Sequence, residues 1–145
     1  MKASRKTSGF EASAAEALTM VLGQVSALRL KALEWQPACH GRAGEILAQV
    51  DVLGHSHTLA CELNADSRPS KVRAALRKLD DCAAHLGGNA TAVLIAPHLS
   101  AQARALCSQN HAGFLDLEGN ARISVGEVFI GQRSLKQSAA ARHAA

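Results

Sequence analysis

The stretch EILAQVDVLGHSHTLACELN, residues 45–64, decides the fold, because apolar and polar residues alternate along two arms that flank a turn. The apolar residues fall on even positions in the first arm and on odd positions in the second, which is the pattern of half-buried strands. We expect a hairpin that turns around Gly54 and His55. The pairs predicted on its buried face are Ile46 with Leu63, Ala48 with Cys61 and Val50 with Leu59.

The polar face of this hairpin carries a candidate metal site. The predicted pairing puts Glu45 opposite Asn64, about 5 Å away, and Glu62 on the diagonal at roughly 7–8 Å. Two carboxylates at that separation can share a divalent cation, although the same residues would equally keep an exposed strand face hydrated. Asp51 faces Thr58 near the turn, about 13 Å from Glu62 at roughly 3.3 Å per residue, so we expect it to be a solvated strand residue.

Length and composition predict one globular domain. The chain has 145 residues, of which 48% are hydrophobic, and this is enough for a single core but short for two. We expect a flexible N-terminus at 1–9, a domain at 10–132 and a disordered or truncated tail at 133–145. No apolar run reaches membrane-spanning length and no export signal is evident, so a cytoplasmic location is expected.

Charge and aromatic content limit the kinds of partner. The net charge of +4 is compatible with a polyanionic partner. Aromatic residues make up 3% of the chain, with no Tyr, which argues against a base-stacking surface and favours contacts to phosphates. The cysteines Cys39, Cys61, Cys82 and Cys107 form no C-x-x-C pair, so buried reduced thiols are expected rather than zinc ligands or disulfides.

The remaining chain predicts helices and strands around this hairpin. The predicted elements are helices at 11–36, 71–86 and 100–110, a strand buried on both faces at 91–96, and short strands at 113–117, 121–125 and 127–130. Their order indicates an α/β sandwich with a mixed sheet. In the loop 37–44, His40 and Arg42 either lie near the carboxylates or point to solvent.

The helix at 71–86 carries a candidate DNA-binding surface. The basic residues opposite its apolar face are Lys71, Arg73, Arg77 and Lys78. Clustered cations beside a carboxylate site suit a phosphate backbone. The following Asp80 and Asp81 leave open the alternative of an ordinary solvated helix face with mixed charge.

A helix, a hairpin with an acid on each arm, a helix and a strand resemble the core of the PD-(D/E)xK nuclease-like superfamily. The matching residues are Glu45 for the first acid and Glu62-Leu63-Asn64 for the E-x-K element. The runs APHLSAQARALC at 96–107 and GFLDLEGNARISV at 113–125 look like bacterial proteins often labelled as related to AbiEi-type antitoxins, in which a winged helix commonly follows. The resemblance implies a restriction-endonuclease-like α/β sandwich with a mixed central sheet flanked by helices.

The resemblance also implies a chemistry and the residues that carry it. In active relatives the acids hold Mg²⁺, which polarises the phosphate and activates a water, so Glu45 and Glu62 are the expected ligands. Glu in place of the usual Asp preserves the charge, but Asn64 stands where Lys is expected and offers no cation. Asn64 could orient water, and Lys71 could supply the missing charge. In the second run, Asp116 and Asn120 either build a tight turn or line the site from a neighbouring strand.

Three functional hypotheses follow. The first is a catalytically degenerate nuclease-like domain that binds DNA, or a protein partner or second copy, as a regulatory component of the toxin–antitoxin kind. The alternative is an active Mg²⁺-dependent DNA endonuclease that uses Glu45 and Glu62. The third is an inactive fragment of a longer gene product, suggested by the uninformative residues after Arg133.

Overall fold

The structure is a computed structural model that describes residues 9–36, 45–86, 89–126 and 128–132. Three predicted segments lie outside these ranges: the N-terminus before Gly9, the loop 37–44 with Cys39, His40 and Arg42, and the tail 133–145. Among the described residues, no helix combines the length and the apolar character needed to cross a membrane.

Within the described ranges, seven strands form one sheet in the order β1 to β7, with helices packed against it. The elements are α1 Gly9–Gly23, β1 Leu28–Gln36, β2 Glu45–Val52, β3 His55–Leu63, α2 Pro69–Leu86, β4 Ala90–Ala96, α3 Ala101–Gln109, β5 Gly113–Asp116, β6 Ala121–Val125 and β7 Val128–Gln132. Strand β4 runs parallel to β3 and β5, and the other neighbours are antiparallel. The predicted fold class, an α/β sandwich with a mixed sheet flanked by helices, is confirmed.

The prediction of one helix over 11–36 is wrong, because the helix ends at Gly23 and Leu28–Gln36 is an edge strand paired with β2. A β-bulge between Leu30 and Ala32 shifts the pairing register of this strand. Alternation interrupted by one extra residue spaces the apolar side chains of this strand two, three and two residues apart, which obscures the period of two that indicates a strand. The side chains that pack on the core from this strand are Leu28, Leu30, Leu33 and Trp35.

The hairpin forms as predicted, but its pairing is shifted by two residues. The turn consists of Leu53 and Gly54, which both have positive φ, 52° and 88°, as a tight two-residue hairpin turn requires. The observed pairs are Ile46 with Cys61, Ala48 with Leu59, Val50 with His57 and Asp51 with Ser56. A shift of two residues keeps every side chain on its face, so the predicted buried set is retained while its partners change.

The sheet separates two clusters of buried side chains. One cluster lies on the α1 face and includes Val93 and Ile95 of β4, and the other lies beneath α2 and α3 and includes Leu94 and Ala96. The second half of β4, from Val93 to Ala96, is thus buried on both faces, as its continuous apolar run predicted. Three cysteines, Cys61, Cys82 and Cys107, are buried thiols, and burial raises the pKa of the Cys107 thiol to about 12.

Candidate acidic site and nucleic-acid interface

The two acidic residues of the hairpin are direct cross-strand partners. Glu45, the first residue of β2, pairs with Glu62 near the end of β3. Residues opposite each other in an antiparallel pair have Cα atoms about 4.5–5.5 Å apart, so this pairing is closer than the predicted diagonal. It results from the two-residue shift, which moves Asn64 away from Glu45. The metal-binding role of the pair remains a prediction.

Glu62 lies on the sheet face that α2 and α3 cover, and its side chain is 8% exposed. Burying a charge is costly unless the charge is paired or coordinates a metal. Among the described residues, no group of three or more His, Cys, Asp or Glu side chains is arranged as a metal site. Two carboxylates nevertheless fit Mg²⁺, which commonly binds one or two carboxylates together with water and phosphate oxygens.

Asn64, at the position where the nuclease motif has Lys, is bound to backbone groups through both ends of its amide. Its Oδ1 accepts from the N–H of Asp66 at 3.2 Å, and its Nδ2 donates to the carbonyl of Lys71 at 3.4 Å. Its own N–H donates to the carbonyl of Ile95 at 2.8 Å. Asn64 therefore joins the end of β3 to the first turn of α2.

Asp66 and Arg68 fix the rest of this connection. The Asp66 carboxylate accepts from the backbone N–H of Arg68 at 3.2 Å and pairs with its guanidinium at 2.6 Å. Hydrogen bonds from the Arg68 side chain, and then from its backbone, lower the pKa of Asp66 from 3.8 to about 2. Because the folded-state pKa is lowered, the stabilisation from this pair is complete above pH 3.8 and is lost as the pH falls through about 2.

Removing the guanidinium should therefore raise the pKa of Asp66, while the hydrogen bond from the backbone of residue 68 remains. In the Arg68→Ala variant we expect the pKa of Asp66 to rise from about 2 towards 3.8. Side-chain carboxyl chemical shifts followed by NMR between pH 1.5 and 6 measure this change. An Asp66 midpoint that does not move in the variant would contradict the assigned cause.

The four predicted DNA-binding residues are all exposed on α2. Helical periodicity of 3.6 residues per turn separates them into two sides of the helix. Lys71 and Lys78, two turns apart, form one side, here called the lysine flank. Arg73 and Arg77, one turn apart, form the other, here called the arginine flank, and Arg77 lines a groove between α2 and α3.

Asp116 and Asn120 form a buried network inside the turn between β5 and β6. Asp116 is 1% exposed and Asn120 is 3% exposed. The Asp116 carboxylate accepts from the backbone N–H groups of Glu118 and Asn120, both at 3.0 Å, and from Nδ2 of Asn120. Gly119 has a φ of 103°, which favours glycine. These contacts support the structural interpretation of this run.

The sequence analysis missed a second basic region, which lies around α3. Two adjoining grooves share Ser108 and Arg122 and have volumes of about 810 and 680 Å³. Arg104 and Phe129 line the smaller groove. The signal was the alternation in ARISV, which leaves Arg122 on the opposite face from the buried residues of β6. That pattern predicts that Arg122 lies on a sheet face that is not buried. It does not predict which residues lie beside Arg122.

The described chain runs through a helix, three antiparallel strands, a second helix and a parallel strand, with Glu45 at the start of β2 and Glu62 near the end of β3. No protein-family model matches the chain, and no curated protein matches it. Solved structures of repair endonucleases resemble it in fold.

The apo form of EndoMS is 17% identical with a TM-score of 0.46, over 71% of this chain and 45% of that chain. A repair endonuclease from Pyrococcus abyssi is 19% identical with a TM-score of 0.49, over 78% and 49%. A complex of EndoMS with double-stranded DNA is 19% identical with a TM-score of 0.49, over 77% and 46%. The chain spans about half the length of these structures, and the likeness concerns the fold alone.

Proposed function

We propose that this chain is a nuclease-like domain that binds DNA by its phosphate backbone without cleaving it, as a regulatory or antitoxin-like module. The observation that carries this proposal is the engagement of Asn64. Its amide is held by the Asp66 N–H and the Lys71 carbonyl, so the third motif position serves the connection between β3 and α2.

Without a Lys at the third motif position, the site lacks a positively charged side chain for catalysis. Mg²⁺ held by Glu45 and Glu62 would neutralise charge on a phosphate and acidify a bound water. Negative charge also develops on the phosphate during cleavage, and in active relatives the motif Lys stabilises it. The Asn64 amide is neutral and is hydrogen-bonded to the backbone, so it supplies no such charge. A metal ion bound by Glu45 and Glu62 would then neutralise these two acids, so that they do not repel the phosphate backbone of the DNA.

The consequence for binding is that cations on α2 must hold the phosphates. The lysine and arginine flanks are exposed and begin directly after the connection that Asn64 organises. Contacts of this kind release counterions, so the affinity falls as salt rises, with a slope that reports the number of phosphates neutralised.

An active Mg²⁺-dependent endonuclease is a second candidate, and the direct pairing of Glu45 with Glu62 favours it. In that case the missing charge would come from Lys71, whose backbone carbonyl accepts the hydrogen bond from Asn64. A cleavage assay with Mg²⁺ and Mn²⁺ separates the two candidates. Cleavage that Glu62→Ala and Lys71→Ala both abolish would establish the endonuclease and overturn the proposal.

The proposal is tested by binding of a fluorescein-labelled DNA duplex, measured by anisotropy at 20 to 200 mM salt in EDTA. We expect binding by the natural chain, and in the double variant Lys71→Ala, Lys78→Ala a weaker affinity and a salt slope that is smaller by about 2, or about 1 per phosphate contact. The matched control is Arg29→Ala, an exposed cation on edge strand β1. No duplex binding at 20 mM salt, or equal losses in the control, would contradict the proposal.

A further inference from the structure

The two adjoining grooves around α3 form a basic trough, which we call the α3 trough. Arg77 of α2 lines the larger groove, Arg104 of α3 lines the smaller one, and Arg122 of β6 lines both. Among the described lining residues Asp80 is the only acid. An arrangement of three guanidinium groups with one carboxylate is complementary to an anionic ligand.

The trough is distinct from the acidic site. Its larger groove is lined by Ala90, Thr91 and Ala92 in the first half of β4, whereas Glu62 pairs with Leu94 further along that strand. Ala92 is two residues from Leu94, about 7 Å at roughly 3.3 Å per residue, and Glu62 lines neither groove, so the trough lies beside the acidic site without including it.

An aromatic ring lies in the trough beside the cations. Phe129 of β7 is 56% exposed, and the guanidinium carbon of Arg122 lies 5.3 Å from the centre of its ring. The ring leans over Gly131, where a Cβ atom would stand 2.9 Å from Cε2 of Phe129. The absence of a side chain at Gly131 thus lets the ring lie along the strand, held by Arg122 from the neighbouring strand.

We propose that the α3 trough binds a single strand of DNA, with its phosphates on Arg77, Arg104 and Arg122 and one base stacked on Phe129. Cations that track a backbone, together with an exposed ring, are the features by which proteins hold unpaired strands, so this proposal departs from the expectation of no base-stacking surface that the 3% aromatic content suggested. Bases inside a duplex are stacked on each other and cannot reach such a ring. This inference rests on the proposed function in taking DNA as the ligand. The trough shares Arg77 with the arginine flank proposed to hold the duplex, and it adds Arg104, Arg122 and Phe129, which lie outside α2.

The trough differs from a pocket for a free nucleotide. Its two grooves share Ser108 and Arg122, so together they form one continuous depression. Small-molecule sites enclose most of the ligand surface. A polymer that passes through both grooves matches the distribution of the arginines, which lie on three different elements.

The test measures anisotropy of labelled 12-mer oligothymidylate in EDTA at 50 mM salt. We expect Phe129→Ala and Phe129→Leu each to weaken binding about tenfold, within the range for losing one stacked base. Arg122→Ala should weaken it at least as much, because it removes a phosphate contact and the support of the ring. An abasic 12-mer should bind the natural chain about tenfold more weakly than oligothymidylate and should be insensitive to Phe129→Leu.

Matched controls are Met20→Ala, an apolar side chain on α1 that is 60% exposed, and Arg29→Ala on β1. Circular dichroism verifies that each variant is folded, and Phe129→Leu retains the apolar character if the alanine variant unfolds. Equal affinity for oligothymidylate and the abasic strand, or unchanged affinity in the Phe129 and Arg122 variants, would overturn this inference. If the duplex still binds through the lysine flank in that case, the proposed function stands; if neither DNA binds, both fail.

Discussion

Replacing Glu62 by Gln is expected to abolish binding of Mg²⁺ and Mn²⁺ at the hairpin. Glu62 and Glu45 are direct backbone partners across β2 and β3, so this change removes one of the two carboxylates proposed to bind the metal. Loss of an outer-shell partner alone costs about 10–100-fold in metal affinity, and loss of a direct ligand should cost at least as much. Isothermal titration of the natural chain and the variant with Mn²⁺ measures the difference.

The same substitution separates a metal site from a merely hydrated strand face. If the pair holds a cation, the heat of metal binding should disappear in Glu62→Gln while circular dichroism shows that the variant is still folded. Glu34→Gln, an exposed acid on the neighbouring strand β1, is the control and should titrate like the natural chain. Matching heats in the natural chain and Glu62→Gln would remove the support for a cation at this pair.

Asp116→Ala is expected to lower the free energy of unfolding by about 2–4 kcal/mol. The substitution leaves buried donors without their acceptor, namely the N–H groups of Glu118 and Asn120 and the side-chain amide of Asn120. Unsatisfied buried donors cost about 1–3 kcal/mol each when no water replaces the acceptor. Urea denaturation followed by circular dichroism at pH 7 gives the change.

Glu118→Ala is the matched control for this prediction, because it removes a carboxylate from the same turn. The Glu118 side chain is 39% exposed and contacts His98 at 3.1 Å, so its loss should change stability by less than about 1 kcal/mol. Equal effects of the two substitutions would show that the carboxylate network inside the turn does not stabilise the fold as we infer.

Much of the fold could be predicted because the local patterns of the chain agree with its final contacts. The amphipathic period of α2, the apolar run of β4 and the alternation in β6 each report which side chains face the core. Strand β1 could not be predicted in this way, because its bulge breaks the alternation and only pairing with β2 reveals a strand. The helix therefore seemed to continue beyond Gly23.

The alternation of apolar and polar residues was enough to predict that Glu45 and Glu62 share one face of the hairpin. This prediction holds whenever the pairing register shifts by an even number of residues. Their direct pairing depends on the turn at Leu53 and Gly54, where a hydrophobic residue accepts a positive φ. The sequence analysis centred the turn one residue later. Sequence spacing likewise could not separate the roles of Lys71 and Arg77, because the groove that Arg77 lines requires α3 as its other wall.

The sequence by itself determined the order of most elements, the buried faces and the two acids on one side of the hairpin, because periodicity is a local property that survives any arrangement of the chain. Only the tertiary structure decided that β1 is a strand, that Glu45 meets Glu62 and that Asn64 is held by its neighbours. It also decided that Arg77, Arg104 and Arg122 share one trough. These features depend on turn geometry and on contacts between residues distant in sequence, and residue spacing carries no information about either.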